Sequence, residues 1–110
     1  MQELVTEVLV LPDGMELDDD DRNHFTLTVR WRGPHGETGR GGYAVQRGER
    51  HLSRGGKWRF HPEPYLQRHY RWETLDEAVA VARATVNDLR IYGRTWAEWK
   101  AARDAADGAQ

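Results

Sequence analysis

The chain has no cysteine, only four prolines, two methionines and two lysines, and a single isoleucine in 110 residues. Without cysteine there is no disulfide and no thiolate metal ligand, and nothing in the chain calls for an oxidising compartment, so a cytoplasmic home is expected. No apolar run approaches the roughly 20 residues needed to cross a bilayer. The first residues carry acids where a secretory leader carries bases, so neither a leader nor a membrane partner is expected. The glycine-rich run at residues 36–42 (GETGRGG) has no Lys-Ser/Thr behind it, which excludes a phosphate loop. No internal repeat is present. Arginine outnumbers lysine fourteen to two, the habit of a GC-rich genome.

What the chain does contain is charge sorted along its length. Residues 1–21 hold eight acids and no Lys or Arg; residues 22–72 hold eleven Lys and Arg, all five histidines and three acids. A total of −2 therefore conceals a strong dipole, which points to an anionic partner or to internal pairing. Hydrophobic content is 38%, but five Trp, four Tyr and two Phe supply bulk for a core.

Residues 4–11 (LVTEVLVL) are nearly continuous in apolar residues, the pattern of a strand covered on both faces. Pro12-Asp13-Gly14 ends it, and residues 16–21 repel one another enough to require an exposed loop. Over residues 24–32 the alternation is strict, with Phe25, Leu27, Val29 and Trp31 on one face and His24, Thr26, Thr28, Arg30 and Arg32 on the other. Residues 33–42 form a glycine-rich connection. Tyr43 and Val45 then alternate with Ala44 and Gln46, a short strand covers residues 51–54, and Trp58 and Phe60 alternate with Lys57, Arg59 and His61. Pro62-Glu63-Pro64 stops that strand. The result is an antiparallel meander with an aromatic face and a basic face.

Two Thr-x-x-Glu capping boxes, Thr74 to Glu77 and Thr95 to Glu98, predict two helix starts. Leu75, Val79, Ala82, Val86 and Leu89 draw one apolar stripe after the first box, and Trp96 and Trp99 belong to a shorter helix after the second. The fold class is α+β: an antiparallel three- to four-stranded sheet packed on one long helix, with a short C-terminal helix. One domain spans residues 1–110, with an acidic strand and loop (1–21), a basic sheet (22–72) and a helical part (73–110).

The basic sheet face is the first candidate site. Arg30, Arg32, Lys57 and Arg59 project from one side, with Arg47 and Arg54 nearby in turns, and arginine forks suit phosphates. The plain alternative is that these are the solvated positions of a one-sided sheet. Sheet-type RNA stacking is disfavoured, because the aromatics alternate inward. The two Arg-Gly-Gly triplets read as turns. Asp18, Asp19, Asp20 and Asp21 form a candidate partner-binding loop, and Trp96 and Trp99 a candidate anchor, although such a pair more often closes its own core. His61, His69, Glu63, Lys57 and Arg59 hold the parts of a small nuclease, but their spacing matches no acid-base or metal pattern. No catalytic residue, cofactor or metal is assigned.

The phrase GGYAVQRG … GGKWRF … RWETLDEAVAVA resembles in outline the small three-stranded DNA-binding domains of plant transcription factors and integrase arm-binding domains. The combination of TVRWR, YAV, an aromatic strand, TLDEAVAVAR and IYGRTWAEW is more similar to small uncharacterised proteins of high-GC Gram-positive bacteria and their phages. That resemblance implies a fold and no activity. The expected function is a non-enzymatic binding module that engages nucleic acid through the basic sheet face. The alternatives are a phage- or mobile-element-type inhibitor or adaptor that binds a protein, and a small nuclease.

Overall fold

The structure, a computed structural model, describes residues 7–19, 22–33, 42–60, 62 and 68–108. Five strands follow one another as antiparallel neighbours in the order β1 (Glu7–Val10), β2 (Leu27–Trp31), β3 (Tyr43–Arg47), β4 (Arg50–Leu52) and β5 (Trp58–Phe60). A helical turn, α1 (Arg22–Phe25), precedes β2; helices α2 (Leu75–Val86) and α3 (Trp96–Gly108) follow β5. The α+β meander is as expected, with five strands in place of three to four.

Pairing fixes which side chains share a face. Val8 lies opposite Val29, Val10 opposite Leu27, and Val29 opposite Val45. These residues, with Leu52, bury against Ala78, Ala82 and Val86 of α2. Alanine at two of the three fully buried helix positions removes bulk and lets the helix axis approach the sheet closely. The Thr74 hydroxyl accepts from the Glu77 amide at 3.2 Å and donates to the Glu77 carboxylate at 3.0 Å, so the first capping box forms. The helix ends at Val86, where tight turns from Asp88 to the Thr85 carbonyl and from Leu89 to the Val86 carbonyl redirect the chain. Leu89 thus reaches the core from beyond the helix. Asn87 ties this end to the β1 exit, accepting from the Asp13 amide at 2.9 Å.

Four expectations change. The first strand is an edge strand covered on one face only, since Glu7 and Leu9 are exposed; residues 4–6 lie outside the described set. Residues 24–25 are helical, because the Arg22 amide bonds to the Asp19 carbonyl and the Thr26 hydroxyl bonds back to the Arg22 carbonyl, local bonds that compete with a ladder. Phe25 still reaches the core. The outward sheet face is not uniformly wet: Ala44, Gln46 and His51 are buried on it. The Tyr43–Trp72 backbone bridge lays Trp72 into the core on the α2 side and turns the neighbouring Arg71 onto this outer face, where it meets His51. Finally, α3 is not the short helix: it has 13 residues against 12 in α2.

The buried part of α3 is its start. Trp96 is buried, Trp99 is half-buried, and residues 100–108 are all exposed. The second capping box holds the first turn, with the Glu98 amide donating to Thr95 Oγ1 and the Thr95 hydroxyl donating back to the Glu98 carboxylate. The Thr95 amide, then the Thr95 hydroxyl and Arg90, hold the Glu98 carboxyl below its ordinary range. A carboxylate depressed in the folded state contributes stability above its unfolded pKa and loses it as pH falls through the folded value. Helix content followed by circular dichroism through an acid titration should therefore decline first at α3. Glu98→Gln should remove that acid-dependent step, and an unchanged titration would count against the cap.

Candidate nucleic-acid interface

The expected basic face does not survive as a single patch. Arg30 donates through Nε and Nη2 to Glu7 Oε2 at 3.2 and 3.0 Å, because the β1–β2 register sets these two residues opposite each other. Arg59 shares that face, in the row Gln46, His51, Arg59, but the buried Ala44, Gln46 and His51 lie between it and Arg30. Arg54 gives Nε and Nη2 to the Arg71 carbonyl at 3.0 and 2.7 Å and sits over the Trp72 ring, so it staples a loop. Arg47 belongs to the opposite face, across from Arg50 and in the same row as Val45 and Tyr43. Its Nε donates to the His24 carbonyl at 3.2 Å. Arg32 and Lys57 remain exposed, and no hydrogen bond or ion pair of their side chains is present among the described residues. Period-two alternation predicted the side of the sheet correctly for Arg30 and Arg59, but it says nothing about neutralisation by an edge strand 23 residues away.

The other candidates divide similarly. Asp18 is exposed and Asp19 is half-buried, in turns that place Arg22 beside them through its bond to the Leu17 carbonyl; Asp20 and Asp21 lie outside the described residues. Trp96 is in the core and unavailable to a partner. Trp99 is half-buried, its Nε1 donating to the Ile91 carbonyl at 2.9 Å. Of the nuclease set, His61 and Glu63 lie outside the described residues, and exposed His69 accepts from Arg68 at 3.4 Å. Among the described residues no group of His, Asp and Glu is placed to hold a metal ion.

A different site emerges where α1, the end of β3, the loop after α2 and the first turns of α3 meet. A groove of about 680 Å³ lies there. Phe25, Ile91, Trp99 and Ala102 supply its apolar lining; Arg47, Arg94, Arg103 and His24 supply its polar lining, and none of the lining residues is an acid. The size lies within the range of ligand-binding clefts, roughly 300 to 1,000 Å³. Arg94 is held with its guanidinium carbon 4.9 Å from the centre of the Trp99 ring, a cation-π contact that fixes both. Arg47 also lines a second depression with Arg50, Trp58, Arg90 and one acid, Asp88; Arg90 is paired with Glu98 at 3.2 Å, so Arg50 is the residue that extends the cationic lining past the groove.

Tyr92 stands at the edge of this groove in an unusual state. Ile91 and Arg94 exchange backbone bonds of 2.8 and 3.2 Å, closing a two-residue hairpin whose central residues, Tyr92 and Gly93, have φ of 51° and 78°. Such a turn prefers Asn-Gly or Gly-Gly, because a side chain at positive φ meets its own carbonyl, costing roughly 1–2 kcal/mol. Tyr92 bears that cost while 93% exposed. Packing cannot explain it, since the ring buries almost nothing. A bulky residue kept at strained backbone in solvent points to a contact with something else.

Sequence reasoning missed this site because its residues come from four separate segments. The legible signal was Tyr92-Gly93 between Ile91 and Arg94, a turn dipeptide with an aromatic where asparagine is usual. No family model matches the chain, and no curated protein or solved structure shows significant similarity to it.

Proposed function

We propose that the protein is a non-enzymatic module that binds single-stranded nucleic acid, with the groove between α1 and α3 as its interface. The observation that carries this reading is the acid-free lining of three arginines around apolar rings, with exposed Tyr92 at its edge. Single-strand sites combine cationic tracks for phosphates with aromatic faces for bases. Continuation of the track from Arg47 to Arg50 and Trp58 favours a polymer over a small anion. A duplex fits less well, since its bases are stacked inside and cannot meet Tyr92. No helix among the described residues is long and apolar enough to cross a membrane.

Fluorescence anisotropy with labelled oligonucleotides tests the reading. With two phosphates engaged, by Arg47 and Arg94, the slope of log affinity against log salt should be about −1.4, so binding weakens about 7-fold between 50 and 200 mM salt. Absence of binding, or binding indifferent to salt, overturns the proposal. Tyr92→Gly separates function from folding. It relieves the strained φ and should raise stability by up to about 1 kcal/mol in urea melts, while loss of stacking should cost about 1–3 kcal/mol of binding. A variant that gains stability and keeps full affinity would remove Tyr92 from the interface.

A further inference from the structure

Beyond the groove, the opposite sheet face holds a guanidinium with no anion bonded to it among the described residues. Arg71 is 6% exposed. Its Nη1 donates to the Tyr70 carbonyl at 2.9 Å and lies 3.0 Å from His51 Nδ1. Arginine has no lone pair to offer, so His51 accepts at Nδ1 and carries its proton on Nε2, a neutral ring. Both partners of Arg71 are therefore uncharged, and no carboxylate pairs with it among the described residues. A buried ion normally finds a counter-charge. What lies near Arg71 instead is a second cation, Arg32: burial first, and the repulsion of Arg32 second, lower the Arg71 pKa to about 10.

Register explains how the two arginines meet. The antiparallel bridge between Tyr43 and Trp72 sets Arg71 alongside Ala44, and the Arg32 amide donates to the Gly42 carbonyl at 2.8 Å. Between the two side chains the strand carries Gly42 and Ala44, both buried, so an anion can reach Arg71 only from the side of the exposed Arg32. Glu73, alongside Gly42 in the same register, is exposed and engaged in a contact of its own.

We propose that Arg71 and Arg32 form a phosphate-binding site on the outer face of the sheet, entered from the exposed Arg32 and distinct from the groove. Arg71 is the pre-oriented fork, locked by His51 and Tyr70, and Arg32 closes from solvent. Two guanidinium forks match a tetrahedral oxyanion in charge and geometry.

Inorganic phosphate and ribose 5-phosphate are the probes, each compared with chloride at equal ionic strength, by thermal melting of the full chain and by phosphorus NMR. At ten times the dissociation constant the melting temperature should rise by about 6 °C. The tighter of the two probes identifies free or esterified phosphate as the ligand. Arg32→Gln, an exposed change that leaves the core alone, should weaken binding about tenfold or more, and Arg71→Lys should weaken it comparably by replacing the fork with a point charge. Arg47→Gln with Arg94→Gln should leave the phosphate effect in place. Phosphate no better than chloride, or an equal shift in Arg32→Gln, overturns the site. Loss of the shift in the Arg47 and Arg94 variant alone would also overturn it, by moving the anion into the groove.

Discussion

Arg47→Glu combined with Arg94→Glu should abolish single-strand binding at 100 mM salt, with affinity falling about 100-fold or more, while the protein stays folded. Each charged hydrogen bond to phosphate contributes about 1.5–3 kcal/mol, and both are lost at once. Reversal adds repulsion in a groove whose lining holds no other acid. The fold should tolerate it. Arg94 is exposed, takes part in the hairpin through its backbone and gives up its contact with the Trp99 ring, and Arg47 gives up its bond to the His24 carbonyl. The melting temperature measured beside the anisotropy titration separates the two effects. Retained affinity in a folded double variant would remove the groove from the function, whereas Arg30→Glu, on the other face and already paired with Glu7, should change affinity little.

Leu27→Ala should cost about 3–5 kcal/mol of folding stability, measured by urea denaturation. Leu27 has no solvent exposure, lies opposite Val10 across the β1–β2 ladder and belongs to the cluster that α2 covers. Between a strand and a helix that approaches on alanines there is little slack to collapse into the cavity. A domain of this size has about 5–15 kcal/mol in total, so the loss is a large fraction and should lower the melting temperature by about 15 °C or more. A loss below about 1 kcal/mol would mean that the sheet and α2 are not packed as described. Leu9, on the same edge pair but 47% exposed, is the contrasting position where alanine should be mild.

Particular elements show where sequence logic works. Leu27 and Val29 inward with Thr28 and Arg30 outward follows from alternation alone, and it holds. Both capping boxes form, since a Thr hydroxyl and an amide three residues on need no help from elsewhere. The α2 stripe holds apart from Leu89, which arrives after the helix has ended, and Ala78 takes its place among the buried positions. Failures begin where distant segments meet. The outward-pointing Ala44 and Gln46 of β3 are buried, and the α1 turn interrupts a perfect strand pattern at His24 and Phe25.

The residues by themselves determined which side chains of β2 and α2 face the core, where α2 and α3 begin, and that cations crowd the middle of the chain. Those properties come from periodicity and from bonds closed within three or four residues. Tertiary structure alone decided which arginines are available. It pairs Arg30 with Glu7, staples Arg54 to a carbonyl, buries Arg71, and brings Arg47 and Arg94 to one groove. A charge acts on whatever lies within a few ångströms of it, and that neighbourhood is set by strand register and loop closure across tens of residues.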